Sequence, residues 1–360
     1  MRAADGVGSA EDRRTTGAAR PTSRDVARLA GVSHTAVSFV FNGRAQGNLS
    51  PATQERIRQA AAELGYRPDP VARGLRSNRT AVIGLVTDEI ASSPFAGRLL
   101  RGAMETAWGS EHLVLTVDSG GDPAKEDAAV AELLDRRVDG IIYAAMSLRR
   151  VRVPEGLHRT HSVLANCLPE DDSLPAVIPA ERAGGRTAAR LLLDEGHRRV
   201  AMVGGQDDIA SVDRLRGFRD ALRVERITVP KEWVVRSGGE IVGGYEGAMR
   251  ILDGVPADRR PTGVFCYNDR VAAGVLHAAT RLGVAVPGEL SVVGYDDQEH
   301  MAEFLTPPLT TIALPHREMG EAAARLLLDA IDTGRTPPAT VRRLACPVIS
   351  RASVGPAPSR

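Results

Sequence analysis

Apolar positions along the 360-residue chain change their period near residue 80. Before that point they recur at helical spacing in three short segments. Thr22-Ser-Arg-Asp25 forms a capping-box pattern, and Val26 and Leu29 follow as the inward face of a first helix. Gly31, in Ala30-Gly31-Val32, suits a left-handed turn that ends it. Ser33 caps a second helix carrying Val37 and Val40. A third opens at Ser50-Pro51, carries Ile57, Ala61 and Leu64, and stops at Gly65. Three helices, the first two joined by a tight turn, describe a helix-turn-helix unit. After residue 80, the runs AVIGLV (81–86), HLVLTV (112–117), GIIYAA (140–145), SVLAN (162–166), RVAMVG (199–204), GVFCY (263–267) and LSVVGY (290–295) read as buried strands. Helical patterns separate most of them, over 95–108, 124–136, 182–195, 212–224, 242–252, 269–282 and 317–331. The alternation predicts parallel sheets covered on both faces, and about 270 residues of it exceed one sheet. The expected fold is an all-α helix-turn-helix head followed by an α/β core of two lobes with parallel sheets. A small ligand belongs in the crevice at the carboxyl ends of the strands.

Overall net charge is +1, which hides an asymmetry. Between residues 21 and 79 nine arginines face four acids, an excess of five, whereas residues 80–360 carry a net −5. A basic head on an acidic body points to a polyanionic partner for the head. No apolar run approaches the roughly 18 residues of a membrane span, and the first twenty residues lack the apolar region of a signal peptide. Cys167, Cys266 and Cys346 stand alone, without metal-ligand or disulfide spacing. A cytoplasmic protein without cofactor or metal is expected. GxSxG, GK[ST] and HExxH are all missing, so an enzyme is not expected. His197 reads as a packing or capping residue, and the glycine-rich 238–247 lacks the preceding strand of a dinucleotide site.

The head reads DVARLAGVSHTAVSFVFN (25–42), then SPATQERIRQAAAELGYRPDPVARGLRSNRTAVIGLV (50–86). The body carries PFAGRLLRGAMETA (94–107), LLDEGHRRVAMVGG (192–205), RLRGFRDAL (214–222), PTGVFCYNDRVAAGVLHAATRLGVAVPGELSVVGYDD (261–297) and PPLTTIALPHREMG (307–320). In this order the blocks resemble the lactose-repressor/galactose-repressor (LacI/GalR) family of bacterial transcription regulators, from about Pro21 to Ser353. The resemblance implies a repressor whose homodimer reads a pseudo-palindromic double-stranded DNA operator. A small-molecule effector, expected to be a sugar or sugar derivative, then binds between lobes of the periplasmic-binding-protein type. It divides the chain into a disordered tail (1–20), a DNA-binding head (21–67), a hinge (68–79) and an effector-binding and dimerisation core (80–355). Lobe 1 is expected near 80–181 and 315–342, lobe 2 near 182–314 and 343–355, with three crossings between them. No leucine heptad follows Ser350, so a coiled-coil tetramer is not expected.

The family's base-contacting positions fall on His34 and Thr35, on one helix face with Ser38 and Phe39. Ser33, Ser38 and Asn42 suit phosphate contacts, or alternatively caps. Phe39 stands where many relatives have a basic residue; it either touches a thymine methyl or packs on the third helix. The 43–49 stretch is about two residues longer than usual and reads as a solvated loop, or as a route for Arg44 to the backbone. Leu75 matches the leucine wedged into the minor groove, flanked by Arg73 and Arg76.

In the crevice, Arg214, Asn268 and Asp296 match ligand-contacting positions, while Asn268 and Asp296 could also cap helices. Asp269 and Asp297 read as caps. Where relatives commonly have an Asp-Asn pair, this chain has Ala180-Glu181; either Glu181 is the substitute arm or the ligand is not a typical sugar. Phe95 offers an apolar wall or else packs between lobes, and Trp233 offers a ring for sugar stacking. The rival readings are a constitutive DNA-binding regulator with a degenerate pocket, a solute receptor, and a sugar-processing enzyme.

Overall fold

The structure, a computed structural model, describes residues 21–66, 79–90 and 97–359. The head is three helices whose ends obey local chemistry. In α1 (Ser23–Ala30) Thr22 Oγ1 accepts from the Asp25 amide and Asp25 accepts from the Thr22 amide, a complete capping box. Gly31 closes it in the left-handed region at φ 61°. Ser33 Oγ caps α2 (His34–Phe41) and Ser50 Oγ caps α3 (Pro51–Leu64), which ends at left-handed Gly65. Val26, Ala27, Ala30, Ala36, Val37, Ile57, Ala60 and Ala61 form the core, and Phe41 meets Tyr66 edge-on at 5.6 Å. Burying Ile57 alone contributes about 1.5–3 kcal/mol. Leu29 departs from expectation: it is 47% exposed, because the small Ala27 and Ala30, not Leu29, share the buried stripe with Val26.

In the core, β1 (Val82–Thr87), β2 (Leu113–Asp118), β3 (Gly140–Val151), β4 (His161–Pro169), β5 (Ala176–Pro179) and β11 (Val341–Leu344) make one sheet. Its order is β11-β5-β4-β3-β1-β2, all parallel. The second sheet joins β6 (Val200–Val203), β7 (Val234–Val235), β8 (Gly263–Cys266), β9 (Ser291–Asp296), β10 (Thr310–Ala313) and β12 (Val348–Ile349). Its order is β12-β10-β9-β8-β6-β7, with only β12 antiparallel. The chain passes between sheets after β5, β10 and β11. Leu344 ends the last strand of the first sheet, two residues beyond the expected lobe boundary. Five strands, β5, β7, β10, β11 and β12, lie outside the apolar runs read from the sequence, and β7 and β12 are only two residues long.

Helices α4 (Gly97–Gly109), α5 (Pro123–Asp135) and α10 (His316–Thr333) cover the first sheet. The second is covered by α6 (Glu181–Asp194), α7 (Ile209–Val224), α8 (Ile241–Leu252) and α9 (Asp269–Arg281). Three helix pairs meet through reciprocal glycines. A Cβ on Gly185 would lie 2.1 Å from the Arg214 carbonyl, and one on Gly217 only 1.9 Å from that of Arg182. Gly244 with Gly274 does the same for α8 and α9, and Gly102 with Gly320 for α4 and α10. Gly217→Ala should therefore force α6 and α7 apart and cost about 1–3 kcal/mol, read by denaturant unfolding; a loss within experimental error would disprove the tight approach.

His197 is buried and holds three segments together. Its ring lies 3.0 Å from Thr262 Oγ1, 2.9 Å from Ser291 Oγ and 3.1 Å from the Gly355 carbonyl. Burial holds its imidazole below the usual value. This is the packing role the sequence suggested.

Candidate functional site

On α2, the side chains of His34 and Thr35 are exposed and those of Ser38 and Phe39 are half-buried, all on one side of the helix. His34 Nε2 lies 2.9 Å from Ser23 Oγ, which ties the start of α2 to α1. Ser33 is occupied as an N-cap, and Asn42 donates to the Ser38 carbonyl at 2.6 Å and to Ser38 Oγ at 2.8 Å. Ser33 and Asn42 thus stand at the two ends of α2, whereas Ser38 lies within it. Phe39 is half-buried on this face. The 43–49 stretch is not simply a solvated loop. Ala45 is buried, its carbonyl accepts from the amides of Asn48 and Leu49, and the Asn48 side chain donates to the Arg44 carbonyl at 2.9 Å. Arg73, Leu75, Arg76 and Phe95 lie outside the described residues.

In the core, the carboxyl ends of β3, β4, β8 and β9 and the starts of α6, α7 and α9 surround a cavity of about 290 Å³. Glu181, Arg214, Asn268 and Asp296 all line it, and Asn166, Gln206, Asp208, Tyr267 and Gln298 join them. Arg214, at the second turn of α7, is the hub. Its Nε donates to Glu181 Oε2 at 2.8 Å and a terminal nitrogen donates to Glu181 Oε1 at 2.9 Å. The other terminal nitrogen donates to the Tyr267 carbonyl at 2.6 Å, and Asp296 Oδ1 lies 3.4 Å from the terminal nitrogen that donates to Glu181. The guanidinium also sits 3.7 Å over the Tyr295 ring and 4.9 Å from that of Tyr267. Glu181 is thus not a free hydroxyl-binding arm: Arg214 engages both its oxygens, because α6 and α7 touch at Gly185 and Gly217.

Asn268 caps α9, accepting from the Val271 amide at 2.8 Å while donating to the Gly239 carbonyl at 2.9 Å. No helix follows Asp296 directly, so its cap reading fails. It is held at φ 108°, a region costly for a residue with a side chain, and such strain concentrates at functional sites. Burial pushes its carboxyl well above the usual range, and Arg214 opposes this. Asp297 is no cap either. It pairs with Arg351 at 2.8 Å and, with Glu299, receives Arg98 from α4 at 3.5 and 2.7 Å, a clasp between the lobes. Asp269 accepts from the Gln298 amide and from Thr311 Oγ1, fixing the loop after β9; burial raises its carboxyl to about 7. Trp233 packs on the second-lobe core and is absent from the cavity lining. Tyr267, Asp208 and the amides escaped the sequence reading, although Asp208 announces itself as the cap of α7.

His316, where the chain re-enters the first lobe, is buried near Arg98 and Arg214, and burial pushes its imidazole down to about 4. A folded value below the unfolded one gives stability that is complete above about pH 6.5 and is lost as pH falls toward 4, roughly 3 kcal/mol in all. Unfolding free energy should therefore fall between pH 7.5 and 5 more steeply in the wild type than in His316→Gln. Equal slopes would remove His316 as the cause.

A family model described as "Bacterial regulatory proteins, lacI family" matches residues 22–69, and one described as "Periplasmic binding protein-like domain" matches 189–354. The HTH-type transcriptional repressor PurR of Vibrio parahaemolyticus is 34% identical over 316 residues, covering 86% of this chain and 92% of its own length. The PurR of Aliivibrio fischeri is 31% identical over 313 residues, covering 86% of this chain and 91% of its own. The lac repressor dimer bound to operator and the anti-inducer ONPF is 25% identical, with a TM-score of 0.75 over 93% of this chain and 99% of that one. A CelR–cellobiose complex is 28% identical, with a TM-score of 0.64 over 93% of this chain and 100% of that one.

Proposed function

This chain belongs to the lacI family of bacterial regulatory proteins, DNA-binding transcriptional repressors and not enzymes, and we propose that a carbohydrate held between its core lobes controls how a dimer grips its operator. The observation that carries the effector reading is the convergence of Arg214, Asn268 and Asp296 with three neutral amides around one cavity. Its volume of about 290 Å³ lies near the lower end of the roughly 300–1,000 Å³ of small-molecule pockets. Hydroxyls suit amides that donate and accept together with a carboxyl group, and CelR, a structural neighbour, is seen with cellobiose.

His34 and Thr35 read base edges, and Ser33, Ser38 and Asn42 approach phosphates while serving as caps. Phe39 meets a thymine methyl. Hinge residues Arg73, Leu75 and Arg76 enter the minor groove of a pseudo-palindromic site. The protein acts in the cytoplasm; no helix among the described residues is long and apolar enough to cross a membrane. Homodimerisation is supported by exposed Met104 and Trp108 on α4 and Leu113 and Leu115 on the edge strand β2, an apolar face beside an open sheet edge. Trp108→Glu combined with Leu115→Glu should convert the dimer to monomer in sedimentation and weaken operator binding; an unchanged dimer would place the interface elsewhere.

Binding sites selected from randomised duplexes, followed by affinities at two salt concentrations, test the whole reading. A pseudo-palindrome with a flexible central step and a steep salt dependence is the expected result. The rival is a constitutive regulator with a degenerate pocket. It predicts the same operator but no change of affinity with any carbohydrate.

A further inference from the structure

The charges around the cavity carry more than its shape. Arg214 and Arg270 are its cations, and Glu181, Asp208 and Asp296 its carboxyl groups. Both are paired, but unequally: Arg214 is buried with its partner, whereas Arg270 pairs at the surface. Arg214 and Glu181 form a bidentate pair with side chains only 4% and 2% exposed. A further guanidinium hydrogen goes to the Tyr267 carbonyl, and Asp296 stands at 3.4 Å. Arg270 lies 3.3 Å from Glu240.

The other natural anion holders in such a crevice are helix N-termini. Three of them face this cavity, and two are already capped by the chain itself: Asp208 Oδ1 accepts from the Ser211 amide of α7, and Asn268 Oδ1 accepts from the Val271 amide of α9, with Asp269 beside it. The third, that of α6, has no side-chain cap, but its first residue is Glu181, which places a carboxylate in the first turn. By contrast, Gln206 and Gln298 line the cavity with side-chain amides that no hydrogen bond ties to the described residues. The groups left for a ligand are neutral donors and acceptors together with carboxyl oxygens.

Resting on the reading of this cavity as the effector site, we propose that Glu181 is a built-in counter-ion that makes the crevice select uncharged, hydroxyl-rich effectors and reject phosphorylated or acidic sugars. A phosphate or carboxylate would have to displace a buried bidentate carboxylate from Arg214 and would meet Asp208 at close range, losing its own hydration with only the surface-paired Arg270 to answer it. A polyol meets no such competition.

The test uses the full-length protein and Glu181→Gln, which keeps the side-chain shape and leaves Arg214 without its carboxylate. Thermal stability and calorimetric affinity are measured with glucose, galactose, ribose and cellobiose, with glucose 6-phosphate and glucuronate, and with inorganic phosphate. A neutral sugar should bind the wild type, with its phosphorylated or acidic counterpart weaker by at least about thirtyfold, some 2 kcal/mol. Inorganic phosphate should stabilise Glu181→Gln and not the wild type. Stabilisation of the wild type by phosphate or by an anionic sugar, lost in Arg214→Lys, overturns the proposal. If Glu181→Gln does not fold, the neutral and anionic sugars compared on the wild type still decide. If no sugar of either kind acts on the wild type, the effector reading falls, while the phosphate response of Glu181→Gln separately decides whether Glu181 is what bars anions.

Discussion

Arg214→Ala should destabilise the core by roughly 3–5 kcal/mol and abolish any effector response, because it leaves buried charge without a partner. Glu181 would keep two desolvated oxygens with no counter-ion, the Tyr267 carbonyl would lose its donor, and the space between the Tyr267 and Tyr295 rings would open. Sequence reasoning alone treats this residue as a ligand contact. Its place at the centre of the second lobe makes it structural as well. Denaturant unfolding measures the loss, and a cost below about 1 kcal/mol would contradict the buried geometry. Replacing the pair together, Arg214→Met with Glu181→Leu, should recover most of the stability while the effector response stays absent. A double variant that responds normally would take Arg214 out of the site.

Leu75→Ala should weaken operator binding more than about tenfold, near 1.4 kcal/mol, while effector affinity is unchanged. An apolar side chain that partly unstacks a base step permits a bend that brings more of the protein against the duplex. The sequence from Arg67 to Arg79 holds two prolines, a glycine and four arginines, a composition of low helix propensity. Ordering it costs about 1–2 kcal/mol per residue in backbone entropy, which DNA and a correctly spaced partner must offset. Operator titrations at fixed salt read the effect, and unchanged affinity would refute the wedge. Arg73→Ala should instead reduce the salt slope by about one.

The helix ends of the head were legible because each is decided within three or four residues. Thr22 with Asp25, Ser33, Ser50-Pro51, Gly31 and Gly65 all serve as the sequence indicates. Strands β1, β8 and β9 were legible for a similar reason, since each falls in an apolar run of the sequence. The two-residue β7 and β12 and the four-residue β5 carry no period of their own and exist because a neighbouring strand supplies their hydrogen bonds. Leu29 was misplaced because helical spacing admits more than one inward stripe, and packing against α3 chose the one with alanines. Asp297 read as a cap because it follows a strand, yet its partners are Arg98 and Arg351, far away along the chain.

Local order thus established the family, the three-helix head, the alternation that yields two parallel-sheet lobes, and the residue types that gather at strand ends. Backbone propensity, capping and burial periodicity act over a few residues and need no knowledge of the rest of the chain. Which charge answers which was settled only in three dimensions. Glu181 and Arg214 are 33 residues apart and meet because two glycines let α6 and α7 touch; Arg98 and Glu299, 201 apart, meet across the lobes. Desolvation then weights those pairings far more than their composition could indicate. A carboxylate that reads as a ligand arm becomes the internal partner of the arginine beside it, because burial demands that partner.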